Sequence, residues 1–304
     1  MPEDSPDGPV PDAPPTGQAG PSLDPEAVRR AVADALAEDA AWRDVTTSAL
    51  VPPDQHGEAL IVAKAAGVLA GLPVAEAVFH MMDASLAFEA ALAEGARLSP
   101  GQAVANIAGA LNPILRGERV ALNFLQRMSG VATATARMVE ALKGLPTRLL
   151  DTRKTTPGLR ALEKYAVRVG GGHSHRFNLA DGILIKDNHL AALKARGKDI
   201  AEAVRLARLA APHTLRVEVE VTSVDQALEA LAAGAEVLLL DNMELDDMRR
   251  AAGVARGRAL TEASGGITLD NVRAVAETGV DFISVGAITH SAPALDMSLE
   301  IVGD

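Results

Sequence analysis

The sequence predicts an α/β protein in which a parallel (β/α) barrel follows a smaller α+β domain. Six short apolar runs of strand length occupy the second half of the chain, and polar clusters and Ala/Leu-rich helical segments separate them. The runs are 148–150, 182–185, 216–221, 237–240, 258–260 and 282–285. From the second run onward, successive starts lie 34, 21, 21 and 24 residues apart, which is the spacing of βα units.

The first half of the chain lacks this repeat. Asp24-Pro25 is typical of a helix start, and we expect that helix to reach about Trp42. Segments with strand character follow at 59–63, 68–70, 86–92 and 103–107, with a helix near 74–82. A run of helix formers at 113–142 links the two domains. Residues 1–21 hold seven of the 17 prolines and predict a disordered tail.

Composition disfavours several classes of protein. The chain has 29 basic and 40 acidic residues, a formal charge of −11 and 2% aromatic residues, so a nucleic-acid partner is disfavoured. Cysteine is absent, which excludes disulfides and thiolate metal sites. We find no signal-peptide pattern and no apolar run of membrane-spanning length, and therefore expect a cytoplasmic protein without a membrane partner.

The candidate chemistry follows the apolar runs, because a βα barrel carries its active site at the carboxyl ends of its strands. One set is cationic and suits carboxylates and phosphates; it consists of Arg153, Lys154, Arg176 and Lys186. Glu220, within the run 216–221, and Asp241, after the run 237–240, are carboxylates on two different strands and suit Mg²⁺ that is also bound by substrate phosphates. Together the two sets predict an anionic, metal-chelated substrate.

Glycines after the last two runs predict a phosphate site. Ser264-Gly265-Gly266 and Gly286 offer backbone N–H groups that a phosphate can approach closely. Neither a dinucleotide-binding fingerprint nor a P-loop occurs in the sequence. The ligand is therefore a sugar phosphate or another phosphorylated small molecule.

Several of these residues also have ordinary interpretations. His173 and His175 lack a third ligand at metal spacing, so zinc is disfavoured. Asp187-Asn188 and Asp241-Asn242, each taken alone, are typical helix caps. Arg119 on the long helix is by default a solvated residue.

Longer motifs resemble one enzyme family. They are DTRKTTPGLR at 151–160, KYAVRVGGGHSHRFNLADGILIKDNH at 164–189, VEVEV at 217–221, LLLDN at 238–242, EASGGI at 262–267 and ISVGA at 283–287. In order and spacing they are similar to quinolinate phosphoribosyltransferases, and the resemblance covers roughly residues 24–298.

The resemblance implies an N-terminal α/β sandwich domain and an incomplete (β/α) barrel. We expect the first domain at 22–130, the barrel at 131–287 and a last segment, about 288–304, that packs on the first domain. The family implies a homodimer in which one subunit's first domain covers the other's barrel, and some members form hexamers. The implied reaction is a pentosyl transfer in de novo NAD biosynthesis: quinolinate and phosphoribosyl pyrophosphate give nicotinate mononucleotide, pyrophosphate and CO₂, with Mg²⁺ as cofactor.

The resemblance also implies residue roles. The residues that would hold the quinolinate carboxylates are Arg153, His175, Arg176 and Lys186, with Arg119 from the partner subunit. Lys154 would serve the phosphoribosyl or pyrophosphate end, and Glu220 and Asp241 the Mg²⁺-bound ribose. The remaining substrate contacts would come from Thr152, Ser264, Gly265, Gly266, Val285, Gly286 and Ala287. His173 and Ser174 receive no firm role.

Three alternatives stay open on the sequence. A paralogue found beside molybdate transporters keeps much of the motif, although the full cationic set disfavours it. A non-catalytic phosphometabolite-binding barrel would keep the Ser-Gly-Gly loop without needing the cations together. A barrel lyase or aldolase would use Lys154 or Lys186 as a Schiff-base nucleophile.

Overall fold

The computed structural model describes residues 22–303, so the tail expected to be disordered at 1–21 lies outside the described residues. The strands are β1 (His56–Ala63), β2 (Gly67–Val68), β3 (Ala87–Ala90), β4 (Arg97–Leu98), β5 (Ala103–Ala110), β6 (Arg148–Leu150), β7 (Ile183–Ile185), β8 (Val217–Val221), β9 (Val237–Asp241), β10 (Leu260–Ser264), β11 (Phe282–Ser284) and β12 (Met297–Val302). The helices are α1 (Pro25–Glu38), α2 (Val45–Leu50), α3 (Leu72–Met82), α4 (Leu111–Ala141), α5 (Arg160–Val169), α6 (Asp187–Lys194), α7 (Ile200–Ala210), α8 (Val224–Ala232), α9 (Leu245–Ala255), α10 (Val272–Ala276) and α11 (Ala287–His290). Within this part of the chain, no helix combines the length and hydropathy needed to cross a membrane.

The described chain divides into two compact units. Residues 22–137, 155–171 and 287–303 form the first unit, and residues 138–154 and 172–286 form the second. The first unit is thus assembled from three separate segments. The domain boundaries expected from the sequence, 22–130 and 131–287, stay a prediction.

An antiparallel sheet organises the first unit. Its strand order is β12-β1-β5-β3, so the last strand of the chain pairs with the first. Helices α1 and α3 pack against each other, and Phe79 of α3 stacks on Phe88 of β3 with ring centroids 6.1 Å apart. Apart from such contacts, the core consists mainly of Val, Ile, Leu and Ala side chains, as a chain with 2% aromatic residues requires.

Helix α1 starts where the sequence predicts but ends early. The side chain of Asp24 caps it by accepting a hydrogen bond from a first-turn backbone N–H. The helix stops at Glu38 rather than near Trp42, because Ala40 adopts a left-handed φ of 52° that a right-handed helix cannot continue. A short 3₁₀ turn at Ala41–Arg43 follows.

A parallel sheet of six strands organises the second unit. Its order, β6-β11-β10-β9-β8-β7, is that of a barrel left open between β6 and β7. His173 extends the open edge: its N–H donates to the Leu149 carbonyl at 2.8 Å, and its carbonyl accepts from the Asp151 N–H at 3.0 Å. The α/β fold with an incomplete barrel is therefore confirmed, and its carboxyl edge gathers the ends of all six strands.

One predicted strand is wrong in position. The run at 258–260 was expected to form it, whereas β10 spans Leu260–Ser264. In this strand Thr261 and Glu262 are buried inside the unit. These two polar residues interrupt the apolar run by which an interior strand is normally predicted from sequence. The other five barrel strands lie within one residue of their predicted bounds.

Candidate active site

A cavity of about 300 Å³ lies at the carboxyl edge of the parallel sheet. Its lining residues are Thr152, Arg153, Lys154, His175, Arg176, Leu184, Lys186, Glu220, Leu239, Asp241, Glu262, Ser264 and Ser284. Nine of these were predicted as site residues from the sequence. The edge gathers them because parallel strands end on the same side, as the barrel argument requires.

Cationic side chains enter this cavity from either side of the barrel opening. Arg153 and Lys154 follow β6, and the Lys154 N–H donates to the Thr152 hydroxyl at 3.0 Å, which folds this segment into a turn. Arg176 precedes β7 and donates from Nη1 to the Gly182 carbonyl at 3.1 Å. Burial, and then the positive charge of Arg153, lower the pKa of Arg176. An anion bound between the two guanidinium groups would offset this repulsion.

The two carboxylates predicted to bind a metal lie on neighbouring strands. Glu220 Oε2 is 3.7 Å from Lys186 Nζ, and Glu220 Oε1 accepts from the Asp187 N–H at 3.4 Å. The Glu220 side chain is 11% exposed and that of Lys186 is 48% exposed, so the lysine lies nearer solvent. Asp241 ends β9 and accepts at Oδ2 from Asn242 Nδ2 at 3.0 Å.

His175 already has partners at both ring nitrogens. Nε2 lies 3.1 Å from Glu218 Oε2 and 3.4 Å from Glu262 Oε2, while Nδ1 accepts from the Arg176 N–H at 2.7 Å. Burial lowers the pKa of His175, but the hydrogen bond to Glu218 and the charge of Glu262 outweigh it and raise the pKa overall. A substrate carboxylate therefore reaches the ring only by displacing one of these partners.

Two glutamates of this cluster were given no role from the sequence. Glu218 and Glu262 are buried, and one carboxylate oxygen of each, Oε1, has no hydrogen-bond partner among the described residues. Burial, followed by the charge of Glu218, raises the pKa of Glu262 to about 7. Ligand-type atoms of His175, Glu218 and Glu262 lie within 4.8 Å of one another. The Val-Glu-Val-Glu-Val alternation at 217–221 is a sequence signal for Glu218, since it puts both glutamates on one face.

Asp151 positions the segment that carries the histidine. Its carboxylate is fully buried and accepts from the Ser174 hydroxyl at 3.1 Å and from the His175 N–H at 2.9 Å. The sequence singled out the Asp151 position but assigned it no role. The structure therefore gives Ser174 a hydrogen bond inside the protein, whereas His173 pairs through its backbone with β6.

The predicted phosphate segment is a left-handed turn after β10. Gly265 and Gly266 have φ of 90° and 61°, conformations that favour glycine, and Ser264 beside them lines the cavity. Val285 and Gly286 follow β11, and the Val285 N–H donates to the Leu150 carbonyl at 3.0 Å. Ala287 begins α11.

The lining of the cavity does not include every predicted residue. The predicted residues outside it are Arg119, Gly265, Gly266, Val285, Gly286 and Ala287. Arg119 belongs to the first unit, where its side chain is 58% exposed and lies 3.9 Å from the Glu118 carboxylate.

Two family models cover most of the chain. The model described as "Quinolinate phosphoribosyl transferase, C-terminal domain" matches residues 131–300, and the corresponding N-terminal domain model matches residues 44–129. The chain belongs to the quinolinate phosphoribosyltransferase family. This confirms the resemblance that the sequence motifs indicated.

Relatives support this membership over nearly the full length. The chain is 44% identical over 264 residues to a probable nicotinate-nucleotide pyrophosphorylase [carboxylating] of Bacillus subtilis, covering 87% of this chain and 90% of that protein. It is 44% identical over 259 residues to the human nicotinate-nucleotide pyrophosphorylase [carboxylating], covering 84% and 85%. The structure of the nicotinate-nucleotide pyrophosphorylase from Francisella tularensis superposes with a TM-score of 0.86 at 38% identity, covering 93% of this chain and 98% of that one.

Proposed function

We propose that this quinolinate phosphoribosyltransferase family member converts quinolinate and phosphoribosyl pyrophosphate into nicotinate mononucleotide, pyrophosphate and CO₂, as a step of NAD biosynthesis. The observation that carries the proposal is the composition of one cavity: four cations share it with the carboxylates of Glu220, Asp241 and Glu262, which lie on three successive strands of the sheet. Such a cavity suits a substrate pair that is anionic at several points. The relatives from Bacillus subtilis and human are named as enzymes of this class.

The crowded cations form the dicarboxylate end of the site. Arg153 and Arg176 each offer a planar donor fork to a carboxylate, and Lys186 adds a point charge. Burial and then repulsion from Arg153 lower the pKa of Arg176, and an anion between the two arginines would offset that repulsion. His175 contributes directly once its ring leaves a partner, or otherwise holds the backbone of Arg176 through Nδ1.

The remaining residues that were predicted to contact substrate suit the phosphoribosyl donor. Lys154 would bind the pyrophosphate end, with Thr152 beside it. Backbone N–H groups of the Ser264–Gly266 turn and of Gly286 and Ala287 would take the 5′-phosphate, since such turns are typical phosphate sites in barrels, whereas the Val285 N–H is bonded to Leu150.

Glu220 and Asp241 fit a divalent cation, and we assign it as Mg²⁺. Both present carboxylate oxygens to the same cavity, which is the ligand type that Mg²⁺ prefers. Two protein carboxylates leave coordination positions for water and for substrate oxygens. When bound, Mg²⁺ would screen the charge of the donor's pyrophosphate.

The chain's own residues act mainly by orientation and charge. The pyridine nitrogen forms a bond to ribose C1 while the C1–O bond breaks and pyrophosphate leaves with the electron pair. Lys154 stabilises that leaving charge, and the arginines hold the ring in place. The bond from C2 to its carboxylate then breaks, CO₂ departs, the pyridinium ring accepts the electrons, and C2 takes up a proton.

The assembly is part of the proposal. We propose a homodimer in which Arg119 enters the site of a second copy, because the Arg119 side chain is 58% exposed and its ion pair with Glu118 spans 3.9 Å. Further assembly into a hexamer and the cytoplasmic location stay predictions.

The test is turnover by the purified protein. Quinolinate, phosphoribosyl pyrophosphate and Mg²⁺ are mixed with the parent, with Lys186→Ala and with Lys194→Ala, an exposed lysine control on α6. We expect nicotinate mononucleotide and pyrophosphate from the parent and the control, and a loss of both in Lys186→Ala. A folded parent that binds the donor without releasing pyrophosphate would contradict the proposal.

A further inference from the structure

Asn242 has an unusual backbone conformation directly after a predicted site residue. It follows Asp241 at the end of β9 and has a left-handed φ of 51°. Among residues 22–303, Ala40 is the one other residue besides glycines with a positive φ. Asparagine tolerates this region better than most residues do, so its presence here fits the turn.

The backbone of Asn242 joins the ends of two strands. In the parallel ladder, Asp241 of β9 lies beside Ser264 of β10. The Asn242 N–H donates to the Ser264 carbonyl at 2.9 Å, which continues this pairing beyond the ladder. This backbone hydrogen bond therefore connects Asn242 to Ser264, the residue at which the glycine turn begins.

The side chain of Asn242 contacts both neighbouring site elements. Its Nδ2 donates to Asp241 Oδ2 at 3.0 Å. A Cβ added to Gly265 would lie 2.6 Å from the same Nδ2, and its other nearest neighbours would also be atoms of this amide. The amide therefore packs directly against Gly265, in space that any larger side chain would fill.

A second asparagine holds the far side of the same turn. Asn271 Nδ2 donates to the Gly266 carbonyl at 2.9 Å, and its Oδ1 accepts from the Thr268 N–H at 2.9 Å. Asn271 is not bonded to Asp241. The two asparagines therefore differ in one respect: Asn242 alone links the turn to the carboxylate.

We propose that Asn242 is a positioning residue that fixes the Asp241 carboxylate and the Ser264–Gly266 turn at one separation. In terms of the proposed function, on which this inference rests, Asp241 and the turn would bind the ribose and the 5′-phosphate of one donor molecule. Asn242 is not among the residues that line the cavity, so it acts through its neighbours.

The test compares Asn242→Gly with Asn271→Ala. Asn242→Gly keeps the left-handed backbone and removes only the amide. We expect KM for phosphoribosyl pyrophosphate to rise about tenfold or more, with KM for quinolinate nearly unchanged. The Mg²⁺ concentration for half-maximal activity should also rise, since Asp241 loses its partner.

Asn271→Ala should raise the donor KM without changing the Mg²⁺ dependence. Asn242→Asp keeps the shape of the amide without its donor, and should resemble Asn242→Gly.

Two outcomes separate this inference from the proposed function. If the parent turns over and Asn242→Gly keeps both the donor KM and the Mg²⁺ dependence of the parent, the positioning role is wrong while the function stands. If the parent shows no turnover, calorimetric binding of Mg²⁺-phosphoribosyl pyrophosphate to the same variants gives the answer. Weaker donor binding in Asn242→Gly, with an unchanged melting temperature, then supports the role, and unchanged binding overturns it.

Discussion

Two buried glutamates, one in each unit, have opposite surroundings. Glu163 in the first unit is 1% exposed and accepts hydrogen bonds from the Arg127 guanidinium, at 3.1 and 2.7 Å. Its carboxylate also accepts from the N–H and the hydroxyl of Thr156, at 3.0 and 2.7 Å. Arg127 donates in turn to the carbonyls of Thr289 and Ala292. This charge is buried but paired, which is the usual condition for a buried carboxylate.

Glu262 in the second unit is 2% exposed and lacks comparable pairing. The basic side chain beside it is His175, whose Nε2 lies 3.4 Å from Glu262 Oε2, and Glu262 Oε1 has no hydrogen-bond partner among residues 22–303. Burial and the charge of Glu218 raise its pKa to about 7, against the opposing effects of His175 and the Ser284 hydroxyl. The difference teaches that the first cluster stabilises the fold, whereas the second holds charge at a site at the expense of stability.

Removing a site cation should have the largest effect, and on activity alone. Arg176→Ala should lower kcat/KM about 100-fold to 1,000-fold, because one charged donor fork is lost from the cavity. The melting temperature should change little, since the variant loses the guanidinium's bond to the Gly182 carbonyl but keeps the backbone N–H bond to His175. Steady-state assays and thermal denaturation measure the two quantities, with the exposed Arg249→Ala as a matched control. Comparable losses of activity in Arg176→Ala and Arg249→Ala would show that the cations of the cavity have no special role in activity.

Breaking the paired cluster should have the reverse effect. Glu163→Gln should reduce the free energy of unfolding by about 3 kcal/mol, because the Arg127 guanidinium, whose side chain is 25% exposed, would be left partly buried without a counter-charge. Chemical denaturation measures this, with the exposed Glu140→Gln as control. A variant as stable as the parent would show that this cluster is not what holds the first unit together.

Neutralising the unpaired glutamate should change the pH dependence of stability. Folding raises the pKa of Glu262, so its stabilising contribution is present at low pH and is lost as pH rises towards and through about 7. The raised pKa of His175 gives a slope of the same sign. Glu262→Gln should therefore lose less stability than the parent between about pH 5 and pH 8.

Calorimetric unfolding at several pH values measures that difference. The exposed Glu229→Gln on α8 is the control and should keep the parent's slope. A Glu262→Gln variant that is as steep as the parent would mean that Glu262 does not take up a proton on folding.

The smallest effect is expected at an exposed ion pair. Lys64 and Glu300 lie 2.6 Å apart, but their side chains are 41% and 54% exposed. Water and salt screen such pairs, so Lys64→Ala should leave the melting temperature nearly unchanged. A clear drop would show that exposed pairing also matters in this molecule.

The sequence predicted the repeating elements better than their polar exceptions. Runs such as 237–240 are apolar and regularly spaced, so five barrel strands were placed within one residue. β10 was misplaced because buried Thr261 and Glu262 interrupt its apolar pattern. The packing of Glu218 and Glu262 around His175 depends on strand register, which no local pattern reveals.

Site residues that follow predicted strands could be found from the sequence, whereas those that act through contacts between segments could not. Arg153 and Lys186 directly follow predicted strands, so their place at the carboxyl edge follows from the barrel rule. Asp151 and Asn242 act through hydrogen bonds to neighbouring segments, and such contacts appear only when the strands are assembled. Sites of this kind are where local sequence rules are expected to fail.

The central claim is that the charged edge of the parallel sheet carries out a decarboxylating phosphoribosyl transfer. The most direct measurement uses quinolinate labelled in its 2-carboxylate, with phosphoribosyl pyrophosphate and Mg²⁺, and counts labelled CO₂ against nicotinate mononucleotide. We predict equal amounts of the two products from the parent protein, and both formed at least about 100-fold more slowly by Arg176→Ala. Mononucleotide formed without labelled CO₂, or no product from a folded parent, would contradict the account.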